Sequence, residues 1–179
     1  MTRRHLTAVI ILLVGLVVFG VSRRMTSTAA MSASGSCGSW KVVQSPGSNF
    51  AVLSGVAALS RMNVWAVGAD GNGLLIEHCN GRQWSKVSAP NLRSAQLSGI
   101  AARSARDIWA VGAAAAGNTS NPLIEHDDGT RWSIVKNPGV NATVSAVTAL
   151  SATNVWTVGD LIEHDDGMRW SIIKSPAGA

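Results

Sequence analysis

The sequence has few of the residues on which most chemistries depend. It contains no tyrosine, two cysteines and only 14% charged residues in a chain of 179. Without tyrosine the chain cannot use the tyrosine nucleophile of one class of glycoside hydrolases. Beyond residue 30 there are 11 lysines and arginines against 10 aspartates and glutamates, so most of the net charge of +5 lies in the N-terminal segment. A nearly neutral remainder offers no basic stripe for phosphates, and we expect no nucleic-acid binding.

The N-terminal segment has the pattern of an export signal. Arginines at positions 3 and 4 precede an uncharged run over residues 6–22, and Arg23 and Arg24 follow it. The run lies at the lower limit for spanning a bilayer, and small residues at 27–30 suit cleavage, so a cleaved signal peptide and an uncleaved anchor both fit. We therefore predict a signal peptide or signal anchor with a short linker over 1–36. Residues 37–179 are expected to be secreted or membrane-anchored outside the cytoplasm, touching membrane only through an uncleaved leader.

Tryptophans mark an internal repeat, which is the first feature to seek in a chain of this kind. One set precedes a proline by six residues each time: Trp40, Trp84, Trp132 and Trp170. The other set lies in segments of the type NVWAVG: Trp65, Trp109 and Trp156. The segment LIEH recurs three times between the two sets, and the first-set spacings are 44, 48 and 38 residues.

Each unit is predicted to contain four short strands, a to d, because apolar and β-branched runs alternate with turn residues and no helical period appears. Strand c carries LIEH, and an Asn-Gly or Asp-Gly pair containing Gly81, Gly129 or Gly167 predicts a type I′ hairpin into strand d. Strand d is expected to run from its tryptophan to its proline. The length differences fall between strands b and c, so the longest of these connections, 113–122, is predicted to be a variable loop.

Antiparallel units of this size match the blade of a β-propeller, since one such unit cannot bury both faces alone. A β-sandwich would not repeat so closely, and solenoid repeats are usually shorter. We predict an all-β fold with blades at about 53–90, 97–138 and 144–176, an extra strand at 39–45 and an N-terminal apolar helix. Because a ring usually needs at least four blades, we expect a partial propeller. Its open edges would be covered by another chain, including a second copy, or belong to an incomplete ring or a longer protein.

The segments VSAVTALSATNVWTVG and LIEHDDGMRWSIIKSP resemble tandem repeats of bacterial extracytoplasmic β-propeller proteins, a likeness that covers residues 39–176. The c–d hairpin is similar to the Asp-box (BNR) hairpin of sialidase-type propellers, with Asp, Gly and Trp at positions one, three and six. Asp127 and Asp165 take the first position, whereas Cys79 replaces the aspartate in the first unit, and no unit has the usual Ser or Thr two residues earlier. The resemblance implies an Asp that stabilises the hairpin and a Trp that packs into the blade. It therefore implies the fold and does not imply sialidase activity.

Cys37 and Cys79 would lie in an oxidising compartment, where they could form a disulfide. The alternative is that Cys79 merely occupies the aspartate position of its repeat, because geometry decides whether two sulfurs can meet.

The repeated Glu-His pair is the most tempting catalytic feature. Neighbouring residues of a strand point to opposite faces, so the pair does not converge on one ion or proton. The adjacent residues His126, Asp127 and Asp128 are poor joint metal ligands for the same reason. No nucleophile motif or glycine-rich phosphate loop appears. We predict no catalytic, cofactor or metal site, and a non-catalytic module that binds protein or carbohydrate; the alternative is a fragment of a glycan-active hydrolase or lyase whose catalytic blades are missing.

Overall fold

The computed structural model describes residues 42–71 and 73–175, and every regular element among them is a β-strand. The strands form three separate four-stranded sheets in which sequential neighbours pair antiparallel. The predicted all-β fold with three four-stranded blades is thereby confirmed. None of these residues forms a helix capable of crossing a membrane. The predicted leader over 1–36, its apolar helix, Cys37 and Trp40 lie outside the described residues.

The twelve strands follow the predicted order a to d in each blade. The first blade comprises β1 (Ala51–Ser60), β2 (Asn63–Asp70), β3 (Leu74–Cys79) and β4 (Trp84–Lys86). The second comprises β5 (Ala95–Ser104), β6 (Asp107–Ala116), β7 (Thr119–Asp127) and β8 (Trp132–Ile134). The third comprises β9 (Val144–Ser151), β10 (Asn154–Gly159), β11 (Ile162–Asp165) and β12 (Trp170–Ile173).

Two predictions about strand d and the turn that precedes it differ from the structure. Strand d ends well before its proline, at Lys86 in the first blade. The c–d turn is a four-residue loop and not a type I′ turn: in the first blade Cys79 pairs with Trp84, and only the glycine, Gly81 at φ 88°, has positive φ. The polar residue before that glycine, Asn80, instead accepts the N–H groups of the two residues that follow the glycine. An Asx side chain thus replaces the second left-handed residue that the prediction required.

The connection predicted to be a variable loop is an extended hairpin. Strands β6 and β7 stay paired from Ala113 with Pro122 out to Ala116 with Thr119, and a two-residue turn at Gly117 and Asn118 joins them. Small residues and one glycine at positive φ allow the ladder to continue where the varying length of the repeats had suggested a loop. The longest insertion therefore lengthens the second blade.

The glycine that ends each VG pair allows strands a and b to approach closely. A Cβ on Gly68 would lie 1.8 Å from the carbonyl oxygen of Val52, and one on Gly112 would lie 1.9 Å from that of Gln96. The strand pairing shifts register at the same level in both blades. A side chain there would push the strands apart, so the repeated glycine is a packing requirement.

The core consists of two layers, one at each junction between consecutive blades. In the first layer, Trp65, Val67 and Ile76 of the first blade meet Leu123 and Trp132 of the second. In the second layer, the equivalent face of the second blade meets the third. The first and second blades thus each bury one face against the next blade, as expected when no blade is stable alone.

Residues 42–50 precede the first blade and lie beside its β3. Residues 42–45, the described part of the predicted extra strand, have no strand conformation. Ser45 nevertheless contacts the blade, because its Oγ donates to Glu77 Oε1 at 2.6 Å.

Candidate functional site

A tryptophan, an Asx residue and a histidine form the same cluster in every blade. In the first blade Asn63 Oδ1 accepts Trp65 Nε1–H at 2.7 Å and lies 3.1 Å from His78 Nε2. An indole nitrogen can only donate, so the Asn atom is its oxygen and His78 Nε2 must carry a proton. The histidine ring also packs on the indole, with 4.4 Å between centroids. The equivalent clusters are Asp107 with Trp109 and His126, and Asn154 with Trp156 and His164.

These contacts hold each histidine in a structural role. Burial lowers the pKa of His78, which favours its neutral form. The second blade differs because its acceptor is Asp107, which also forms a 2.6 Å ion pair with Arg103. Burial acts to raise the pKa of Asp107, but hydrogen bonds from Arg103, His126 and Trp109 outweigh it and lower that pKa. Sequence reasoning missed this cluster, although an Asx residue two positions before each second-set tryptophan was visible.

The three glutamates lie on the blade face opposite the histidines and are almost completely buried, with exposures of 1%, 0% and 0% for Glu77, Glu125 and Glu163. Glu77 Oε1 accepts from Ser45 Oγ and from the Gly47 N–H at 3.1 Å. Glu163 Oε1 accepts the Gly139 N–H at 3.0 Å. A segment ending in Pro-Gly therefore supplies a backbone donor in the first and third blades.

The middle glutamate lacks such a donor. Neither carboxylate oxygen of Glu125 has a hydrogen-bond partner among the described residues. The equivalent preceding segment reads Ala89-Pro90-Asn91, so alanine replaces the Ser or Asn and asparagine replaces the glycine. Burial raises the pKa of Glu125 to about 7. A neutral carboxylic acid at this position costs less than an unpaired buried charge.

The predicted hairpin aspartates both serve backbone groups. Asp127 Oδ1 accepts the Gly129 N–H at 3.0 Å, and Asp165 Oδ1 accepts the Gly167 N–H at 3.0 Å. In the first blade Cys79 occupies this position at the end of β3 and is fully buried. Its predicted disulfide partner, Cys37, lies outside the described residues, so the bridge stays a prediction.

Groups of three His, Cys, Asp or Glu side chains that could hold a metal ion are absent from residues 42–71 and 73–175. His126 lies against Asp107 and Trp109, while Asp127 faces the glycine turn, so these two neighbours do not converge.

Two blade faces are left uncovered by the described residues. On the outer face of the third blade Val158 is 45% exposed, whereas the equivalent Val67 and Val111 are 0% exposed. On the opposite side of the array, the first blade has a cavity of about 410 Å³. Its lining is mostly apolar, and its polar side chains are Glu77, the Ser45 hydroxyl that is bonded to Glu77, and Ser54. The full lining is Val43, Ser45, Leu53, Ser54, Gly55, Val56, Ala66, Glu77 and Trp84. We call this cavity the first-blade pocket.

Comparison with known proteins places the fold. No protein-family model and no curated protein matches the sequence. A solved structure described as YCF48 bound to D1 peptide has 18% sequence identity and a TM-score of 0.54, covering 73% of this chain and 42% of that chain. YCF48 from Cyanidioschyzon merolae has 19% identity and a TM-score of 0.49, covering 69% of this chain and 40% of that one. The chain thus spans less than half the length of these structures.

The fold defined by the three sheets and by the likeness to the structure of YCF48 bound to D1 peptide is that of a β-propeller, with three blades in the described residues. Because the identity is low, the likeness establishes the architecture alone.

Proposed function

We propose that this chain is a non-catalytic, extracytoplasmic propeller module that binds protein segments in the first-blade pocket. The observation that carries the proposal is the apolar cavity itself, which is open beside Val56 at 69% exposure and Leu53 at 42%. Apolar surface of this kind, enclosed by a few polar groups, is typical of binding sites. The N-terminal export pattern supports the extracytoplasmic location.

The chemistry of the pocket favours a protein over a carbohydrate. Recognition of a sugar needs several free hydrogen-bonding groups, whereas the hydroxyls of this pocket are Ser54 and a Ser45 Oγ that is engaged by Glu77, and Trp84 supplies one aromatic face. A similar propeller fold has been solved with a bound peptide, which supports a peptide ligand for this chain. Hydrolase or lyase activity finds no support in the described residues.

Selection of ligands from a random peptide library on the Ala33–Ala179 unit tests the proposal. We expect enriched peptides to share apolar residues and to lose at least tenfold in affinity in the Val56→Lys variant. Val56 is exposed, so the substitution leaves the fold intact. Met168→Thr is the matched control, since Met168 is 94% exposed, lies on the third blade and corresponds to Thr130 of the second. Peptides that bind Val56→Lys as tightly as the original chain would contradict the proposal.

A further inference from the structure

Consecutive blades of this chain contact each other through a pair of tryptophans, and each of the two uncovered faces carries one tryptophan of such a pair without its partner. At each junction a strand-d tryptophan packs on the strand-b tryptophan of the preceding blade. Trp132 lies 5.8 Å from Trp65, and Trp170 lies 5.8 Å from Trp109, measured between ring centroids. Among the described residues, Trp84 makes no such contact from strand d and Trp156 makes none from strand b.

The surroundings of the two tryptophans also match the internal junctions. Trp156 and Val158 lie on one face of β10, as Trp109 and Val111 do on β6. Trp84 lines the first-blade pocket together with Leu53 and Val56. This pocket is therefore the position at which a preceding blade would present a tryptophan and a valine.

We propose that two copies of this chain associate head to tail, with the outer face of the third blade of one copy in the first-blade pocket of the other. Trp156 of each copy then packs against Trp84 of its partner. The inference rests on the proposed function, because it names a second copy as the protein bound in that pocket. A two-fold pair makes the contact twice and leaves neither face uncovered, and its six blades fall within the usual range for a closed ring.

The charges and the space at the proposed contact between two copies can be compared with those at the two junctions between blades of one chain. Cys79 takes the position of Asp127 and Asp165, and Lys86 is paired with Asp70 at 3.1 Å, so neither of these positions brings an unpaired charge into the contact. Ser45 and Gly47 correspond to Asn137 and Gly139, which places residues 42–44 where the outer strand of a preceding blade would run. Association therefore requires residues 42–44 to move aside, which their lack of strand pairing and the 84% exposure of Val42 allow.

Light scattering of the Ala33–Ala179 unit, which forms one compact unit, tests the proposal at micromolar concentration. We expect twice the monomer mass. Val56→Lys and Val158→Lys each place a charge in the contact at an exposed position and should each weaken association at least tenfold. Met168→Thr should leave the dimer unchanged, because Met168 lines the groove between the second and third blades. A monomer, an assembly larger than two copies, or a dimer insensitive to either lysine variant would overturn the proposal.

Mixing the two lysine variants tests the head-to-tail arrangement directly. A mixed pair has one contact without a lysine, formed by the third blade of Val56→Lys and the pocket of Val158→Lys, and both lysines lie at the other contact. We expect the mixture to associate through the lysine-free contact more tightly than either variant alone, and a mixture that associates no better than the single variants would overturn the arrangement. Peptide binding to a monomeric chain would refute self-association while leaving the proposed function intact, whereas loss of both would refute both.

Discussion

The second and third blades share the segments LIEHDDG and RWSI, but among the described residues the second blade is covered on both faces and the third on one. Trp109 is 5% exposed and Val111 is 0% exposed, while Val158 at the equivalent position of the third blade is 45% exposed. The local sequence cannot account for this difference. A strand of this repeat becomes core only where another blade lies against it, so stability is shared between neighbours along the array.

Removing the strand-b tryptophan should show the largest difference between these blades. Trp109→Ala removes a buried ring from the junction with the third blade and should cost about 3–5 kcal/mol. Trp156→Ala removes a partly exposed ring and should cost about 1–2 kcal/mol. Urea unfolding, measured at concentrations where the protein is monomeric, gives both values. Equal losses would mean that blade packing does not distinguish the two positions.

Replacing the buried glutamates should change the free energy of unfolding with a pH dependence that differs between the blades. The pKa of Glu125 is raised from 4.5 to about 7 by burial, so its ionisation is harder in the folded than in the unfolded state. The free energy of unfolding is therefore highest below pH 4.5, the pKa of Glu125 in the unfolded state, and it falls as pH rises until the pH passes 7. At 1.36 kcal/mol per pKa unit, the loss is about 3 kcal/mol. We expect Glu125→Gln to be nearly neutral at pH 4 and to stabilise by up to about 3 kcal/mol at pH 8.

Glu163→Gln is the matched control for that experiment. Burial also raises the pKa of Glu163, but the N–H of Gly139 opposes the shift by bonding to the carboxylate. The stabilisation at pH 8 should consequently be smaller than for Glu125→Gln. Unfolding curves for both variants and the original chain between pH 4 and 8 provide the comparison. A stability difference between Glu125→Gln and the original chain that does not change with pH would show that the carboxyl is not desolvated.

The smallest effect on the free energy of unfolding is expected at the Asx residue of the Trp–Asx–His clusters. The second blade pairs Asp107 with Arg103, whereas the third blade has Asn154 with leucine at the arginine position, Leu150. Arg103→Leu should cost about 1–2 kcal/mol, because it leaves a largely buried carboxylate with fewer donors. Arg103→Leu with Asp107→Asn recreates the third-blade arrangement and should recover most of that loss. A thermal-unfolding double-mutant cycle measures the coupling, and additive losses would argue against it.

Several features of the fold could be predicted because the same sequence pattern occurs in three repeats. Alternating apolar runs, tryptophan spacing and Asx-Gly turns sufficed for the order of strands and the number of blades. The turn type was predicted wrongly because the side chain of Asn80 can satisfy the backbone groups that positive φ would otherwise arrange. The connection at 113–122 was predicted as a loop because the length differences between the repeats fall there, yet its small residues pair when the flanking strands hold them in register.

The candidate site was less accessible to sequence reasoning. Trp84 looks like every other strand-d tryptophan in the sequence, and its special position follows only from what lies opposite it. The same is true of Glu125, whose partners are missing because Ala89 and Asn91 stand in the segment before the second blade. Neither residue can be distinguished without knowing which segments meet across a junction.

The sequence by itself determined the repeat, the strands within each unit and the absence of common catalytic patterns, because these depend on neighbours along the chain. The tertiary structure alone decided which face of each blade is buried, which glutamate lacks a donor and where the first-blade pocket lies. These properties depend on contacts between blades, and identical local sequences have different surroundings at the middle and at the ends of the array.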